Sequence, residues 1–380
     1  MKRITALLAA AVLFLWGQAS AEKIITLTFT GDCTLGTEEM TRKAPESFDN
    51  VAKKKGYSYF LANFYDLFSQ DDCTVVNCEG VLSDSSKGEA DKDFRFRGPE
   101  EFVRILQEGS VEAVSLANNH SRDYGWKGLE NTERVLDEAG IGWARADSFW
   151  IYEKDGIRIG FAGVDHGIFA ESSYLLQEKL LQLKKDGKVD AIVMLIHEGK
   201  EFSPVHLGNQ DKYCEYFINT AGADLVIMHH PHVVQGIRIL NNRSVFYSLG
   251  NFVFGGHSKI SRGKNGTNSL YSLVVQAKMH FSDDGAYQGQ QMILYPAYDS
   301  GTDPENNYQP IRLTAEEAVP VMEAIQLDTE LSLPSLQTDE AGRAYAIMDY
   351  LPAAGTMLPA DFQPEEGEPE AASPQPGRNR

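Results

Sequence analysis

The sequence predicts an α/β domain whose strands are covered on both faces. Three features carry this reading. Apolar runs of strand length alternate with amphipathic helical stretches along the chain. The runs are nearly unbroken and rich in β-branched and aromatic residues, as in strands buried on both sides. Polar residues gather where the runs end, as they do in open α/β sheets that bind ligands beyond the strand carboxyl ends.

The strand candidates, in order, are KIITLTFTG, CTVVNCEG, EAVSLANN, IRIGFAGV, AIVMLIH, DLVIMHH and SVFYSLGNFVF. Between them, GPEEFVRILQEG opens on Pro99 and two glutamates, which suits a helix start. GWKGLENTERVLDEAGI and QDKYCEYFINTAGA are the other clear helices. The pattern weakens after about residue 300, where TAEEAVPVMEAIQ and DEAGRAYAIMDY read as peripheral helices within 301–351. From 352 to 380 the chain is dominated by Pro, Ala, Gly and Glu. Such a segment buries too little apolar surface to offset its ordering entropy and is expected to be a disordered tail. The main domain is expected over 22–300, and no internal repeat is present.

At the other end, Lys2 and Arg3 precede the apolar stretch ITALLAAAVLFLWG, which is short for a spanning helix, and Ala19-Ser20-Ala21 forms a small-x-small cleavage site. Residues 1–21 are therefore expected to be a signal peptide, with an uncleaved anchor as the alternative. The mature chain would begin at Glu22 and be exported to the periplasm, the medium or the cell surface. It would contain no transmembrane span.

The chain has 380 residues and 42% apolar residues, enough for one large domain or two ordinary ones. Its net charge of −19, which becomes −21 without Lys2 and Arg3, argues against nucleic acid as a partner, because that requires a basic face. The four cysteines Cys33, Cys73, Cys78 and Cys214 match no zinc spacing. An exported protein permits disulfides, and Cys33 and Cys78 both follow strand-like runs that could bring them together.

The polar ends of the runs carry the chemistry. Asp32 follows TLTFTG, and Asn77 and Glu79 follow CTVV. Asn118, Asn119 and His120 follow AVSL, His197 follows AIVMLI, and Ser248, Gly250 and Asn251 follow SVFY. His229, His230 and His232 follow DLVIM, so three of the nine histidines lie within four positions. Each of these groups alone could be a cap or a turn. Together they put carboxylate, amide and imidazole donors on one rim, a set that suits one or two divalent ions such as Mn, Fe or Zn. Pro231 disfavours helix at His230. In an extended segment residues i and i+2 share a side. His230 and His232 are thus expected to point together as ligands, with His229 turned away into a structural or supporting role.

TFTGDCTLG, VNCEGVLSD, SLANNHSRDYG, IHEGKEF, MHHPHVVQG and YSLGNFVF occur in the order found in the CapA family of capsule- or poly-γ-glutamate-synthesis proteins, which the chain resembles over about residues 24–256. That family is similar to the calcineurin-like metallophosphoesterases. The resemblance implies a layered sandwich of β-sheets flanked by helices. It implies Asp32, Glu79, Asn119, His197, His230 and His232 as metal ligands, His120 as the acid that protonates a leaving group, and Asp123 as its orienting partner. Thr34 departs from the resemblance, standing where the phosphoesterase Asp-x-His pattern has histidine, which bears on the second metal. Glu198 departs too, standing where the family has tryptophan, whereas Glu201 keeps an acidic position of supporting character. Arg95, Arg97 and Asn251 are candidates for contact with an anionic substrate, although the two arginines read equally well as a solvated strand face. Three functions remain open at this stage. The first is a metal-dependent hydrolase of phosphoesters. The second is a γ-glutamyl amide hydrolase or transferase. The third is a non-catalytic assembly or export factor that holds an anionic surface polymer for the capsule machinery.

Overall fold

The computed structural model describes residues 22–353 apart from 88–91, 147, 168 and 263–266, and for 169–172 the backbone alone. The signal-peptide and tail segments expected from the sequence therefore lie outside the described residues, save for 352 and 353. Two large sheets pack face to face, with helices on their outer faces. The first sheet runs in the order Gln337–Thr338, Ala344–Ile347, Tyr287–Tyr298, Tyr271–Phe281, Lys23–Thr34, Cys73–Cys78, Ala113–Ser115, Gly142–Ala144. The second runs Ile237–Leu240, Arg243–Phe246, Leu225–His229, Ala191–His197, Ile157–Asp165, Trp150–Lys154.

Alternation along the strands explains the layers. Val193 and Leu195 face the core between the sheets, where they join Leu27, Phe29, Val75 and Val275. Their neighbours Ile192, Met194 and Ile196 face outward onto Leu176, Leu180, Cys214 and Phe217 of the helices Phe169–Lys185 and Gly208–Thr220. The outer face of the first sheet presents Val76 and Val114 to Phe48, Phe102, Ile105 and Leu136. Strands clothed on both sides must be apolar throughout, which is why they read as unbroken runs. The helix Gly125–Ala139 buries Leu129, Thr132, Val135 and Leu136 at helical spacing and ends on Gly140 in a left-handed conformation.

Three sequence expectations are corrected here. DEAGRAYAIMDY is not a helix: Ala344–Ile347 is a strand antiparallel to Tyr287–Tyr298, with Ala344 and Ala346 in the core. The helix Ala315–Gln326 does form, behind a Thr314–Glu317 capping box, but it buries Ala318, Val321 and Ile325 in the same core and is not peripheral. SVFYSLGNFVF is not one strand but two, in different sheets. Arg243–Phe246 pairs with Leu225–His229, after which the chain crosses and Asn251–Phe254 pairs with Lys23–Thr34. The crossing needs two glycines. Gly250 sits at φ 72°, and a Cβ on Gly31 would lie 2.1 Å from the Gly250 carbonyl oxygen. The close approach lets Asp32 N–H donate to that oxygen at 2.9 Å, which pins Asp32 on the rim.

All four cysteines are buried free thiols, so no disulfide joins Cys33 and Cys78. The two are neighbours nonetheless, as register partners on adjacent parallel strands. Burial pushes both thiols up to about 12. Among the described residues, no helix is long and apolar enough to cross a membrane.

Candidate metal centre

The rim residues come from both sheets, and a hydrogen bond from His229 Nε2–H to the Thr30 carbonyl, 2.9 Å, ties the sheets together beneath them. His229 ends its strand and spends its ring on this bond, turned away from its two neighbours.

Glu79 lies at the centre. Its side chain has no exposed surface, and neither carboxylate oxygen accepts a hydrogen bond. Around Oε1 stand His197 Nε2 at 3.5 Å, His120 Nε2 at 3.9 Å and His232 Nε2 at 3.9 Å. His197 Nε2 also faces Asn119 Oδ1 at 2.8 Å and His230 Nδ1 at 3.1 Å. On the other side, His232 Nδ1 lies 3.2 Å from Asp32 Oδ2 and 3.0 Å from Asn251 Oδ1. Donor atoms of Glu79, His197 and His230 fall within 4.8 Å of one another, as do those of Asp32, Glu79 and His232. All six residues suggested as ligands thus converge.

The supporting amides hold this set in place. Asn77 Nδ2 donates to Asp32 Oδ1 at 2.8 Å, and Asn118 Nδ2 donates to Asn77 Oδ1 at 3.1 Å. His120 Nδ1–H points to Asp123 Oδ2 at 2.7 Å, leaving Nε2 directed at Glu79. Asp123, fully buried, also accepts from Phe96 N at 2.8 Å and from Lys92 Nζ at 2.7 Å. Nothing in the sequence marked Lys92 or Phe96. Their role depends on the loop folding back over His120, whose ring lies 4.5 Å from that of Phe96.

Electrostatics follow burial. Glu79 is pushed up to about 7 by burial and by the charge of Asp32. Burial also works to raise Asp32, but its hydrogen bond to His232 and the surrounding imidazoles outweigh that and hold it well below the usual carboxylate range. Burial drives His197 and His230 far down, so both are neutral and can offer a lone pair. His232 goes the other way: burial opposes its charge, yet Glu79 and Asp32 raise it to about 10. The site is therefore a pair of buried carboxylates with one protonated imidazole standing in as their counter-charge. A buried carboxylate with no hydrogen-bond donor of its own, beside two neutral imidazoles and an amide oxygen, fits a divalent cation that would take over the charge His232 now supplies.

Two features differ from expectation. His230 and His232 do converge, but not from an extended segment. The strand stops at His229, and both residues take positive φ, 105° and 57°. A turn, rather than strand alternation, aims them. The candidate substrate residues also divide. Arg97 is buried on the small sheet Thr37–Glu38, Phe96–Gly98, Val81–Leu82, donating to the Ser83 carbonyl at 2.8 Å and to Glu39 at 3.2 Å, on the side of its strand opposite Phe96. It is engaged in structure, not presented to a ligand. Asn251 has no exposed surface and serves His232. Arg95 is half-buried and makes no ion pair among the described residues.

Among solved structures the chain is similar to a hypothetical protein from Thermus thermophilus, 16% identical over 72% of this chain and 99% of that one, with a TM-score of 0.43. It is also similar to the calcineurin-like phosphoesterase YfkN from Bacillus subtilis, 13% identical over 80% of this chain and 98% of that one, with a TM-score of 0.41. Overlaps this loose bear no functional weight. In sequence it is 28% identical over 286 residues to the capsule biosynthesis protein CapA of Bacillus anthracis, covering 69% of this chain and only 65% of that protein's length. It is 27% identical over 314 residues to the PGA biosynthesis protein CapA of Bacillus subtilis (strain 168), covering 75% and 77%. Residues 26–256, more than half of the chain and the stretch that carries every rim residue above, match the bacterial capsule synthesis protein PGA_cap, and the chain belongs to that family.

Proposed function

We propose that the chain is an exported metal-dependent hydrolase acting in the synthesis of a cell-surface capsule or of poly-γ-glutamate. The observation that carries the reading is Glu79, a fully buried carboxylate with two unpartnered oxygens, ringed by Asp32, His197, His230 and His232. Leaving such a group unpaired costs on the order of 1–3 kcal/mol or more unless something positive completes it. Asp32, Glu79, Asn119, His197, His230 and His232 would hold one or two ions of Mn, Fe or Zn. A cation there supplies Lewis acidity toward the bond to be cleaved and toward water.

The chain's own groups do the rest. His120 Nε2 faces the same point as the ligands and would deliver a proton to the leaving group. Asp123 fixes the ring through Nδ1, and the Phe96 amide and Lys92 hold Asp123 in turn. Arg95 is the arginine available to an anionic substrate, a phosphoester or a glutamyl polymer. Net charge of −19 opposes broad capture of a polyanion, which favours a local contact at one bond. The test is metal analysis of the purified mature protein followed by a hydrolysis screen against phosphoesters and γ-glutamyl oligomers. Metal-dependent turnover of either class supports the proposal and identifies the bond. A loaded protein that cleaves neither would make it an assembly or export factor working with the capsule machinery.

A further inference from the structure

Thr34 stands where an imidazole would complete the donor set around Asp32, and its hydroxyl is buried without a hydrogen-bond partner. A further carboxylate stands beside the histidine pair. Carboxylate and ring nitrogen atoms of Glu201, His230 and His232 lie within 4.8 Å of one another. We infer that Glu201 is a direct metal ligand, donating a carboxylate oxygen to a divalent cation held by His230 and His232. The inference rests on the metal-centre reading above and extends it to a residue expected to be only supporting.

The backbone argues that this meeting is built in. The loop that leaves His197 is stitched to the HHPH turn by two bonds, Glu198 N–H to the His229 carbonyl at 3.0 Å and Phe202 N–H to the Pro231 carbonyl at 2.8 Å. They bracket Glu201. Phe202 sits at φ 56°, His230 at 105° and His232 at 57°. Each such non-glycine residue is strained and persists only where its surroundings over-determine it, a pattern that clusters at functional sites. Here three of them are neighbours, the His232 ring lying 6.2 Å from that of Phe202 and 6.1 Å from that of His230. Glu201 is exposed, and among the described residues no hydrogen bond or close ion pair engages its carboxylate, which acts on His232 through its charge. A carboxylate in place of an imidazole hardens the donor set, which favours Mn(II) or Fe(II) over softer ions.

The experiment uses the mature chain stripped with a chelator and titrated with Mn(II), with stoichiometry read by calorimetry and coordination by the visible absorption of a Co(II) derivative. Glu201→Gln, Glu201→Asp and His197→Ala are compared with the wild type. If Glu201 is a ligand, Glu201→Gln loses one equivalent or binds it more than about 100-fold more weakly, beyond the roughly 10–100-fold expected of a supporting residue. Its Co(II) spectrum changes, and Glu201→Asp recovers part of the affinity. Unchanged stoichiometry and spectrum in Glu201→Gln, with metal lost in His197→Ala, would overturn the inference and leave the metal centre standing. A wild type that binds no Mn(II), Co(II) or Zn(II) would remove both.

Discussion

Glu79→Gln puts the electrostatics of the site to a quantitative test. Glu79 is fully buried and its folded value is about 7 against an ordinary 4.5, because burial and Asp32 disfavour its charge. A carboxyl raised in this way holds a proton in the folded state that the unfolded chain has already released. Its contribution to stability is complete below about pH 4.5 and is lost as pH rises through about 7. At about 1.4 kcal/mol per pH unit, the charged form costs the metal-free protein about 3 kcal/mol near pH 8. Glutamine removes that cost. The metal-free variant should therefore be more stable than the wild type by up to about 3 kcal/mol near pH 8, and by far less near pH 5, where Glu79 is itself neutral. Cation reverses the order: at about 100 times Kd it adds roughly 2.7 kcal/mol to the wild type and little to a variant that has lost a central ligand. Urea denaturation of stripped and metal-loaded protein near both pH values reads every term. If the stripped variant is instead less stable than the wild type near pH 8, then protonated His232 fully satisfies Glu79 as a structural ion pair, and the argument from an orphaned carboxylate fails.

His120→Ala should keep its metal and its thermal stability while turnover falls by about 100-fold or more, and loss of metal would make His120 a ligand. His229→Ala should lose about 1 kcal/mol with the Thr30 bond while metal per chain stays at the wild-type value, and metal loss confined to this variant would mean that the wrong histidine was taken for the structural one. Arg97→Ala should destabilise the protein by about 1–3 kcal/mol, since it leaves the Ser83 carbonyl without its donor while Glu39 keeps Arg42 and Tyr124, without raising KM; a raised KM at unchanged stability would return Arg97 to the substrate. Intact mass of the exported protein should correspond to a start at Glu22, and a start at Met1 would defeat the cleavage reading.

What the sequence determined by itself is what local pattern can carry. A strand buried on both faces has to be apolar throughout, so Ala191–His197 and Leu225–His229 were legible as strands, and the polar residues that end them were legible as a rim. The long hairpin Tyr271–Phe281 with Tyr287–Tyr298 was missed, because Gln276, Lys278 and His280 interrupt the first arm and Gln288, Gln290 and Gln291 the second. Their burial is decided by the neighbouring strands. Ala344–Ile347 reads as helix in the sequence because four residues are too few for a period of two to stand out, until Tyr287–Tyr298 offers it hydrogen bonds. At the site, ligand types were readable but geometry was not. Asn119 and His197 meet across 78 positions because the two sheets pack on each other, and Asp32 and Asn77 across 45 through the register of two paired strands. Pro231 signalled an extended His230, and the folded turn overrode it with positive φ at His230 and His232, strain that two sheets and the Phe202–Pro231 bond hold in place. Arg95 and Arg97 looked alike in DFRFRGPE. Which of them is consumed by Glu39 and Ser83 is a matter of which side of a short strand faces which neighbour, and that side exists only once the chain has folded.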